Sequence, residues 1–343
     1  MRSRSSFPLA WLGFLVLVLL VLPLGAHWLH SGYWLRLFEL SLIFSILAAS
    51  LNLVTGTAGL VSLGHAAFYG IGAYTAALVS RMNGDLLATL PASLLVTGVL
   101  AGILAIPMLR LLRVFFTVAT LSVGEIVTVV LTNWDGVTGG PNGFRGIPGF
   151  AVAGIAVPGG LGEYYVVAVV ALVALWCVAR LSCSFYGNAL RALREDEASA
   201  GAMGLDTRLL KIGVFMVSGA LAGVAGCLTA HSTRYISPDM FALDQSIMLL
   251  TMVVVGGLGS LPGAVLGAFL LTIAPEVLRT AGHFRMIMVG VLLFAAILLF
   301  PKGLLSEELF LRRARRTGGG KPSSGSGTGA ATRRSSSKTV VTM

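Results

Sequence analysis

The amino-acid sequence predicts an all-α membrane protein, a polytopic bundle of about ten transmembrane or part-spanning helices. Apolar residues make up 56% of the 343 residues and charged residues 11%, with a mean hydropathy of +0.89. The apolar residues gather in runs of about 20, the length at which a helix spans the hydrocarbon core of a bilayer. Ten-residue segments of alternating polarity, typical of membrane β-barrels, are absent from the sequence. The lipid bilayer is therefore the expected surroundings of most of the chain.

Ten apolar runs divide the sequence, and each is predicted to form one helix. They lie near residues 9–25, 37–53, 63–80, 86–109, 114–133, 162–182, 209–231, 244–258, 261–280 and 284–300. Arg2 and Arg4 precede the first run, a pattern that signal peptides and first membrane helices share. No small-residue cleavage pattern follows this run, so we expect it to be a retained membrane helix.

The distribution of basic residues predicts the orientation of the bundle. With ten helices and a cytoplasmic N-terminus, ten Lys and Arg residues fall on the cytoplasmic side and six on the outer side, leaving out residues 306–343. Lys and Arg accumulate in the cytoplasmic loops of membrane proteins. Both the N-terminus and the C-terminus are accordingly predicted to be cytoplasmic.

Three segments depart from the pattern of helix and short loop. Residues 134–160 are rich in Gly and Pro and are predicted to form an external loop, whereas residues 183–208 form a polar cytoplasmic segment. Residues 306–343 hold eight Lys or Arg and two Glu but few apolar residues. Such a composition cannot bury enough apolar surface to fold. The sequence therefore predicts a membrane domain over residues 1–305 and a disordered basic cytoplasmic tail over residues 306–343.

Glycine interrupts two of the apolar regions, at residues 56–65 and 256–263. Residues 59–66 and 257–264 agree at five of eight positions, a weak internal match. Backbone groups freed by such breaks are tolerated at membrane depth only where they are buried in protein or face a water-filled path. Paired breaks in the two halves of a chain point to a substrate path. Close helix packing is the alternative interpretation.

Polar residues next to these breaks, together with an acid in another helix, complete the candidate path. The predicted path residues are Asn52, Gly59, Ser62, Gly64, His65, Glu125, Gly257, Gly259 and Ser260. An unpaired acid at the bilayer centre costs roughly 2.5–3.5 kcal/mol or more. Glu125, surrounded by apolar residues, is therefore expected to face the bundle interior, either in a structural hydrogen bond or in contact with substrate.

Small residues four apart predict close contacts between helices. The pairs are Gly98 with Gly102, Gly219 with Gly223, and Gly263 with Gly267. Small side chains at this spacing let helix backbones approach each other in lipid.

The polar cytoplasmic segment has the pattern of a short amphipathic helix. Leu190 and Leu193 are three residues apart, and Arg191 and Glu195 are four apart, so each pair shares one helix face. The pattern predicts a helix of about two turns that is closed by Gly204. A surface helix with both signs of charge suits docking onto another protein, and a solvated loop is the alternative.

The sequence carries no sign of an enzyme. It has no nucleotide-binding loop of the form G-x-x-x-x-G-K-[ST], no metal-ligand cluster, no catalytic residues and no cofactor motif. If ATP drives this protein, another chain binds it. The basic tail lacks the aromatic residues of a nucleic-acid binder, and no nucleic-acid partner is expected.

Several ordered blocks give the chain a specific resemblance to a known family. They are Ser50-Leu51-Asn52-Leu53, residues 56–65, Thr120-Leu121 with Glu125, Thr138-Gly139-Gly140-Pro141-Asn142-Gly143, Arg191-Ala192-Leu193-Arg194-Glu195-Asp196-Glu197 with Gly204, residues 256–260, and Pro301-Lys302-Gly303-Leu304. Over about residues 37–304 the chain resembles the membrane permeases of ATP-driven branched-chain amino acid importers, and specifically the longer of their two permease types.

This resemblance implies an importer in the bacterial cytoplasmic (inner) membrane. Its partners would be two ATP-binding subunits, a second permease subunit in a heterodimer and an extracytoplasmic substrate-binding protein. The residues implied to couple ATP hydrolysis to transport are Arg191, Arg194, Glu195, Asp196, Glu197 and Gly204. The substrate would be a branched-chain or other neutral amino acid. Urea or a short amide is an alternative substrate, and an ion-coupled secondary transporter is an alternative function.

Overall fold

The computed structural model describes residues 32–82, 84–108 and 113–278, together with residues 290, 291, 294, 298, 303 and 304. The predicted first helix at residues 9–25, most of the predicted last helix and the tail at residues 306–343 lie outside the described residues. The described part is almost entirely helical, as the sequence predicts.

The described residues contain eleven α-helices. They are α1 Gly32–Asn52, α2 His65–Ser80, α3 Leu86–Met108, α4 Arg113–Asn133, α5 Asp135–Thr138, α6 Leu161–Cys183, α7 Phe185–Glu195, α8 Glu197–Ala202, α9 Thr207–Thr233, α10 Leu243–Gly256 and α11 Leu261–Val277. A π-helical turn, Leu53–Thr57, extends α1, and short 3-10 turns lie at Gly140–Asn142 and Pro238–Phe241. Eight of the ten predicted helices correspond to α1, α2, α3, α4, α6, α9, α10 and α11.

Six helical segments are long and apolar enough to cross a membrane. They are Gly32–Thr57, Leu86–Met108, Phe115–Asn133, Leu161–Cys183, Thr207–Thr233 and Pro238–Gly256, and α11 is a shorter apolar helix. Helix α2 has 16 residues. The strands in the described part are two residues long and pair outside the helices: β1 Phe144–Arg145 with β4 Tyr235–Ile236, and β2 Ala151–Val152 with β3 Ile155–Ala156. The fold is therefore an all-α membrane bundle.

Helix α1 is the centre of the bundle. Of its most apolar stretch 89% is buried, the largest share among the six spans. It packs against α6, α9, α10 and α11. A helix that is apolar on all sides must be covered by other helices or by lipid, and here the other helices cover it.

Glycine contacts join α9 to α2 and α3, as the small-residue spacing predicts. A Cβ on Gly223 would lie 2.5 Å from Thr97 Oγ1 and 2.6 Å from the Ser93 carbonyl oxygen of α3. A Cβ on Gly72 of α2 would overlap the backbone of Gly223. The predicted close contacts of the other glycine pairs are also confirmed. Gly102 packs against Met216, Gly219 against Ala101, and Gly267 against the Met252 carbonyl oxygen.

The bundle has two distinct ends. At the loop end, residues 134–160 lie against the start of the segment that follows α9: β1 pairs with β4, and the Arg81 guanidinium lies 4.1 Å from the centroid of the Phe144 ring. The opposite end, called the α7 end below, carries α7, α8 and the two glycine breaks.

Adding a methyl group at Gly223 should destabilise the chain. The packed atoms of α3 leave no room for it, and overpacking typically costs about 1–3 kcal/mol. We expect Gly223→Ala to lower the melting temperature of the purified chain in detergent. Gly136→Ala is the matched control, since no atom lies within 4 Å of the Cβ position there. Equal melting temperatures for the two variants would contradict the packing argument.

Candidate functional site

The two glycine breaks, separated by about two hundred residues in the chain, meet in the structure. The side-chain oxygen of Asn52 accepts a hydrogen bond of 2.8 Å from the Gly259 N–H. A Cβ on Gly56 would overlap both this oxygen and the Gly259 nitrogen. Because only a hydrogen atom fits at residue 56, the end of α1 and the break after α10 can touch through their backbones.

The two breaks also share a backbone geometry. Gly59 and Gly257, which align in the internal match, both have a positive φ, 73° and 121°. In each case a new helix starts a few residues later, α2 at His65 and α11 at Leu261. The Ser260 hydroxyl caps α11 by accepting a 3.3 Å hydrogen bond from the Gly263 N–H. The two breaks are therefore similar helix–turn–helix units in contact.

Helix α4 satisfies the backbone groups that the first break leaves without helical partners. Thr120 Oγ1 accepts a 3.1 Å hydrogen bond from the Leu63 N–H, and Thr117 Oγ1 donates a 3.0 Å bond to the Val61 carbonyl. On the other side, the Ser246 hydroxyl of α10 accepts a 3.0 Å bond from the Ala66 N–H. Backbone groups this close to lipid must be paired inside the protein, and the three hydroxyls provide that pairing.

His65 lies in the packed interior. Its Nε2 is 2.7 Å from the Ser50 hydroxyl of α1, and the Ser50 carbonyl accepts a 2.7 Å hydrogen bond from Ser218 of α9. Only 2% of the His65 surface is exposed. This histidine therefore ties the start of α2 to α1.

Helix α7 rests directly on the first break. Leu190 and Leu193 are buried, with 0% and 1% exposure, so its apolar face packs onto the bundle. The Arg194 guanidinium reaches inward and donates a 2.6 Å hydrogen bond from Nη1 to the Gly56 carbonyl. A Cβ on Gly59 would lie 2.8 Å from the Arg194 side chain. Arg194 therefore joins α7 to the contact between the two breaks.

Tyr186 fixes the start of α7 to α9. Its hydroxyl donates a 2.8 Å hydrogen bond to the Leu210 carbonyl. Burial raises the pKa of Tyr186 to about 12, so the hydroxyl keeps its proton and remains a donor at neutral pH.

The prediction of one amphipathic helix closed by Gly204 is wrong in one respect. The segment forms two helices, α7 and α8, because Asp196 has an extended backbone and caps α8. Its carboxylate accepts hydrogen bonds from the Ala198 N–H at 2.9 Å and from the Ser199 hydroxyl at 2.8 Å. An Asp at the N-cap begins a new helix. Gly204, with φ of 85°, follows the end of α8.

The six predicted coupling residues differ in what they contact. Arg194 bonds Gly56, Glu197 forms a 2.5 Å ion pair with Lys211 of α9, and Asp196 caps α8. Arg191 bonds the Ser182 carbonyl and the Asn188 side chain, each at 3.2 Å. All six except Arg191 are exposed at the surface of the α7 end. Most of this group therefore combines a contact within the chain with exposure at that surface.

The structure brings eight of the nine predicted path residues together around the two breaks and separates Glu125 from them. Glu125 is exposed on α4, so the expectation that it faces the interior of this chain's bundle is wrong. The physical reason is the position of α4 at the bundle surface, where only 17% of its most apolar stretch is buried. Among the described residues, no hydrogen-bond or ion-pair partner of its carboxylate is found.

Sequence reasoning missed the hydroxyl groups that complete the site. Thr117, Thr120 and Ser246 lie in predicted spans and were not among the predicted path residues, although each bonds the backbone of the first break. Lys211 was missed as the partner of Glu197. The three-residue spacing of Thr117 and Thr120 within an apolar run was the available signal. Within the described ranges, no group of three or more potential metal ligands is present.

Removing the Asn52 acceptor should destabilise the contact between the breaks. Asn52→Leu leaves the Gly259 N–H without its partner, and an unsatisfied buried donor costs about 1–3 kcal/mol. We expect a lower melting temperature in detergent. Asn133→Leu is the control, because the exposed Asn133 amide bonds only the Val129 carbonyl of its own helix, at 2.8 Å. If both variants have the same melting temperature as the unmodified chain, Asn52 does not hold the breaks in contact.

Comparison with known proteins agrees with the resemblance seen in the sequence. The profile of the family described as "Branched-chain amino acid transport system / permease component" matches residues 33–300. The high-affinity branched-chain amino acid transport system permease protein LivM of Escherichia coli (strain K12) is 35% identical over 314 residues, which cover 84% of this chain and 74% of that protein. No solved structure matches the chain significantly.

Two further relatives extend the comparison. A probable branched-chain amino acid transport permease protein LivM of Methanocaldococcus jannaschii is 25% identical over 225 residues, 61% of this chain and 65% of that protein. The permease protein LivH of Escherichia coli (strain K12) is 32% identical over 146 residues, 42% of this chain and 46% of that protein. The match along most of the membrane bundle, with the paired breaks inside it, identifies the chain as a member of the branched-chain amino acid transport permease family.

Proposed function

We propose that this chain forms part of the translocation path of an ATP-driven importer of branched-chain amino acids. Two separate ATP-binding subunits would supply the energy, a second permease would complete the path, and an external binding protein would deliver the substrate. The relatives are all permeases of branched-chain amino acid transport systems, which supports this assembly. The absence of a nucleotide-binding loop from the sequence fits a subunit that relies on a partner ATPase.

The observation that carries the proposal is the hydrogen bond from Arg194 to the Gly56 carbonyl. It connects the predicted coupling segment to the point where the two glycine breaks touch. A displacement of α7 would act on Gly56, and through the Asn52 contact on Gly259. The π-helical turn and the positive-φ glycines give this region backbone that can rearrange, because neither is held in regular α-helix. Through this link, closure of the ATP-binding subunits can open or close the translocation path.

The α7 end is proposed to face the cytoplasm of a bacterial inner membrane, and the loop end the outside. The bias of Lys and Arg along the sequence supports this orientation. The proposed ATPase contact is the exposed surface of α7 and α8, which includes Glu195, Gly204 and Met203, the last with 71% exposure. Residues 134–160 at the loop end are the proposed contact for the binding protein.

Reconstitution tests the function and the substrate together. The chain, its co-purified subunits and the binding protein encoded with them would be placed in liposomes. We expect leucine to stimulate ATP hydrolysis and to accumulate inside. Stimulation by urea or acetamide but not by leucine would establish the alternative substrate class. Uptake that follows an ion gradient, with no ATPase recovered, would show that the protein is a secondary transporter and not an ATP-driven importer.

A bulky residue on the outer surface of α8 should block ATPase docking without disturbing the fold. No atom lies within 4 Å of the Cβ position of Gly201, and the same is true of Gly136 at the loop end. We expect Gly201→Trp to reduce the recovery of ATPase subunits with the tagged chain by about tenfold, since a contact worth 1.4 kcal/mol changes binding by that factor. Gly136→Trp should leave the recovery unchanged. Normal recovery with Gly201→Trp would contradict docking at α8.

Loss of the Arg194 hydrogen bond should uncouple ATP hydrolysis from transport. Arg194→Met removes a charged donor worth about 1.5–3 kcal/mol, while α7 keeps its buried leucines. We expect ATPase recovery to persist and the leucine transported per ATP hydrolysed to fall severalfold. Arg208→Met, a change at an exposed arginine of the same end, is the control. If Arg194→Met instead abolishes ATPase recovery, Arg194 acts in docking rather than in the link to Gly56.

A further inference from the structure

Helix α4 has three distinct stripes along its length. On a helix of 3.6 residues per turn, Phe116, Thr120 and Leu131 fall on the side that packs against the chain, and all three are buried. A polar flank follows, made of Thr117, Glu125, Thr128 and Thr132. The remaining face is mainly apolar and consists of Phe115, Val118, Ile126, Val129 and Val130, which are 45% to 61% exposed, with the exposed Ser122 among them, whose hydroxyl bonds the Val118 carbonyl of the same helix.

The outward surface of α4 differs from those of the neighbouring spans. The exposed residues of α3 are all apolar, and on α6 the exposed positions from Tyr165 to Trp176 are aromatic or aliphatic, as expected of surfaces that meet lipid. The outward side of α4 instead carries Glu125, for which no partner is found among the described residues. A mid-span acid is rarely turned toward lipid, since its insertion costs roughly 2.5–3.5 kcal/mol or more.

The low burial of α4 also indicates that its outward side lacks a partner within the described part of the chain. Only 17% of the most apolar stretch of α4 is buried, against 39% to 89% for the other five spans. A crevice between α4 and the rest of the chain, lined by residues such as Gly64, Met108 and Thr120, has no room for a water molecule. The carboxylate therefore needs a protein or aqueous environment that the described residues do not supply on that side.

We propose that the apolar face of α4 is the contact surface for the second permease subunit, with Glu125 at the edge of that contact, next to the substrate path between the two subunits. This inference rests on the proposed function. The partner helix would present a hydrogen-bond donor at the depth of Glu125. A second permease is favoured over a second copy of this chain because the Escherichia coli relatives of this branched-chain amino acid system include two different permease proteins, LivM and LivH.

Photo-crosslinking in the assembled importer tests the surface. Benzoylphenylalanine would replace Ile126 or Val129 on α4, with Val173 on α6 as the matched exposed control, 53% exposed against 61% and 56%. Irradiation of native membranes should yield adducts with the second permease from the α4 positions, about tenfold above Val173. Adducts with a second copy of this chain, with another segment of the same chain, or with lipid alone would each overturn the proposal.

Substitution of Glu125 gives an independent measurement. We expect Glu125→Leu to lower the recovery of the second permease with the tagged chain severalfold, and Glu125→Gln, which keeps a hydrogen-bonding side chain, to restore part of it. If Glu125 faces lipid, Glu125→Leu leaves recovery unchanged, which contradicts the proposal. Subunit composition is measured first on the unmodified complex: failure to recover any second permease rejects the proposed function, whereas recovery without α4 adducts rejects only this inference.

Discussion

The contact between the two glycine breaks is the constraint on which the rest of the site depends. Lipid offers no hydrogen bonds, so a broken helix must pair its freed backbone groups within the protein. Asn52 pairs the Gly259 N–H, and hydroxyls of α4 and α10 pair the backbone around residues 61–66. The breaks can therefore exist in a membrane bundle because Asn52 of α1, two threonines of α4 and Ser246 of α10 supply these partners.

The same contact explains where the charged segment of the chain can act. Arg194 is an exposed residue whose guanidinium nevertheless bonds the Gly56 carbonyl, and the Asn52 hydrogen bond joins the same glycine break to Gly259. Glu197 is similarly engaged, through Lys211. The surface left for a partner at the α7 end is made of the exposed residues of α7 and α8. The residues that hold the segment in place therefore also lie on the surface proposed for docking.

Glu125 is the one predicted path residue that lies exposed on the described part of the bundle. Its helix packs one side against the break through Thr120 and leaves the acid on the other side. An acid in lipid is costly unless a helix of this chain or of another subunit covers it. The exposed carboxylate is therefore the observation behind the proposed subunit contact along α4.

The sequence by itself determined the fold class, the positions of eight described helices, the glycine packing pairs and the two breaks, because hydropathy and small-residue spacing are local properties of the chain. Only the tertiary structure decided that the breaks touch through Asn52, that Arg194 turns inward and that Glu125 turns outward. These outcomes depend on which helices are neighbours and on the rotation of each about its axis. A strongly apolar helix has little amphipathic pattern to encode that rotation, so packing between distant segments decides it.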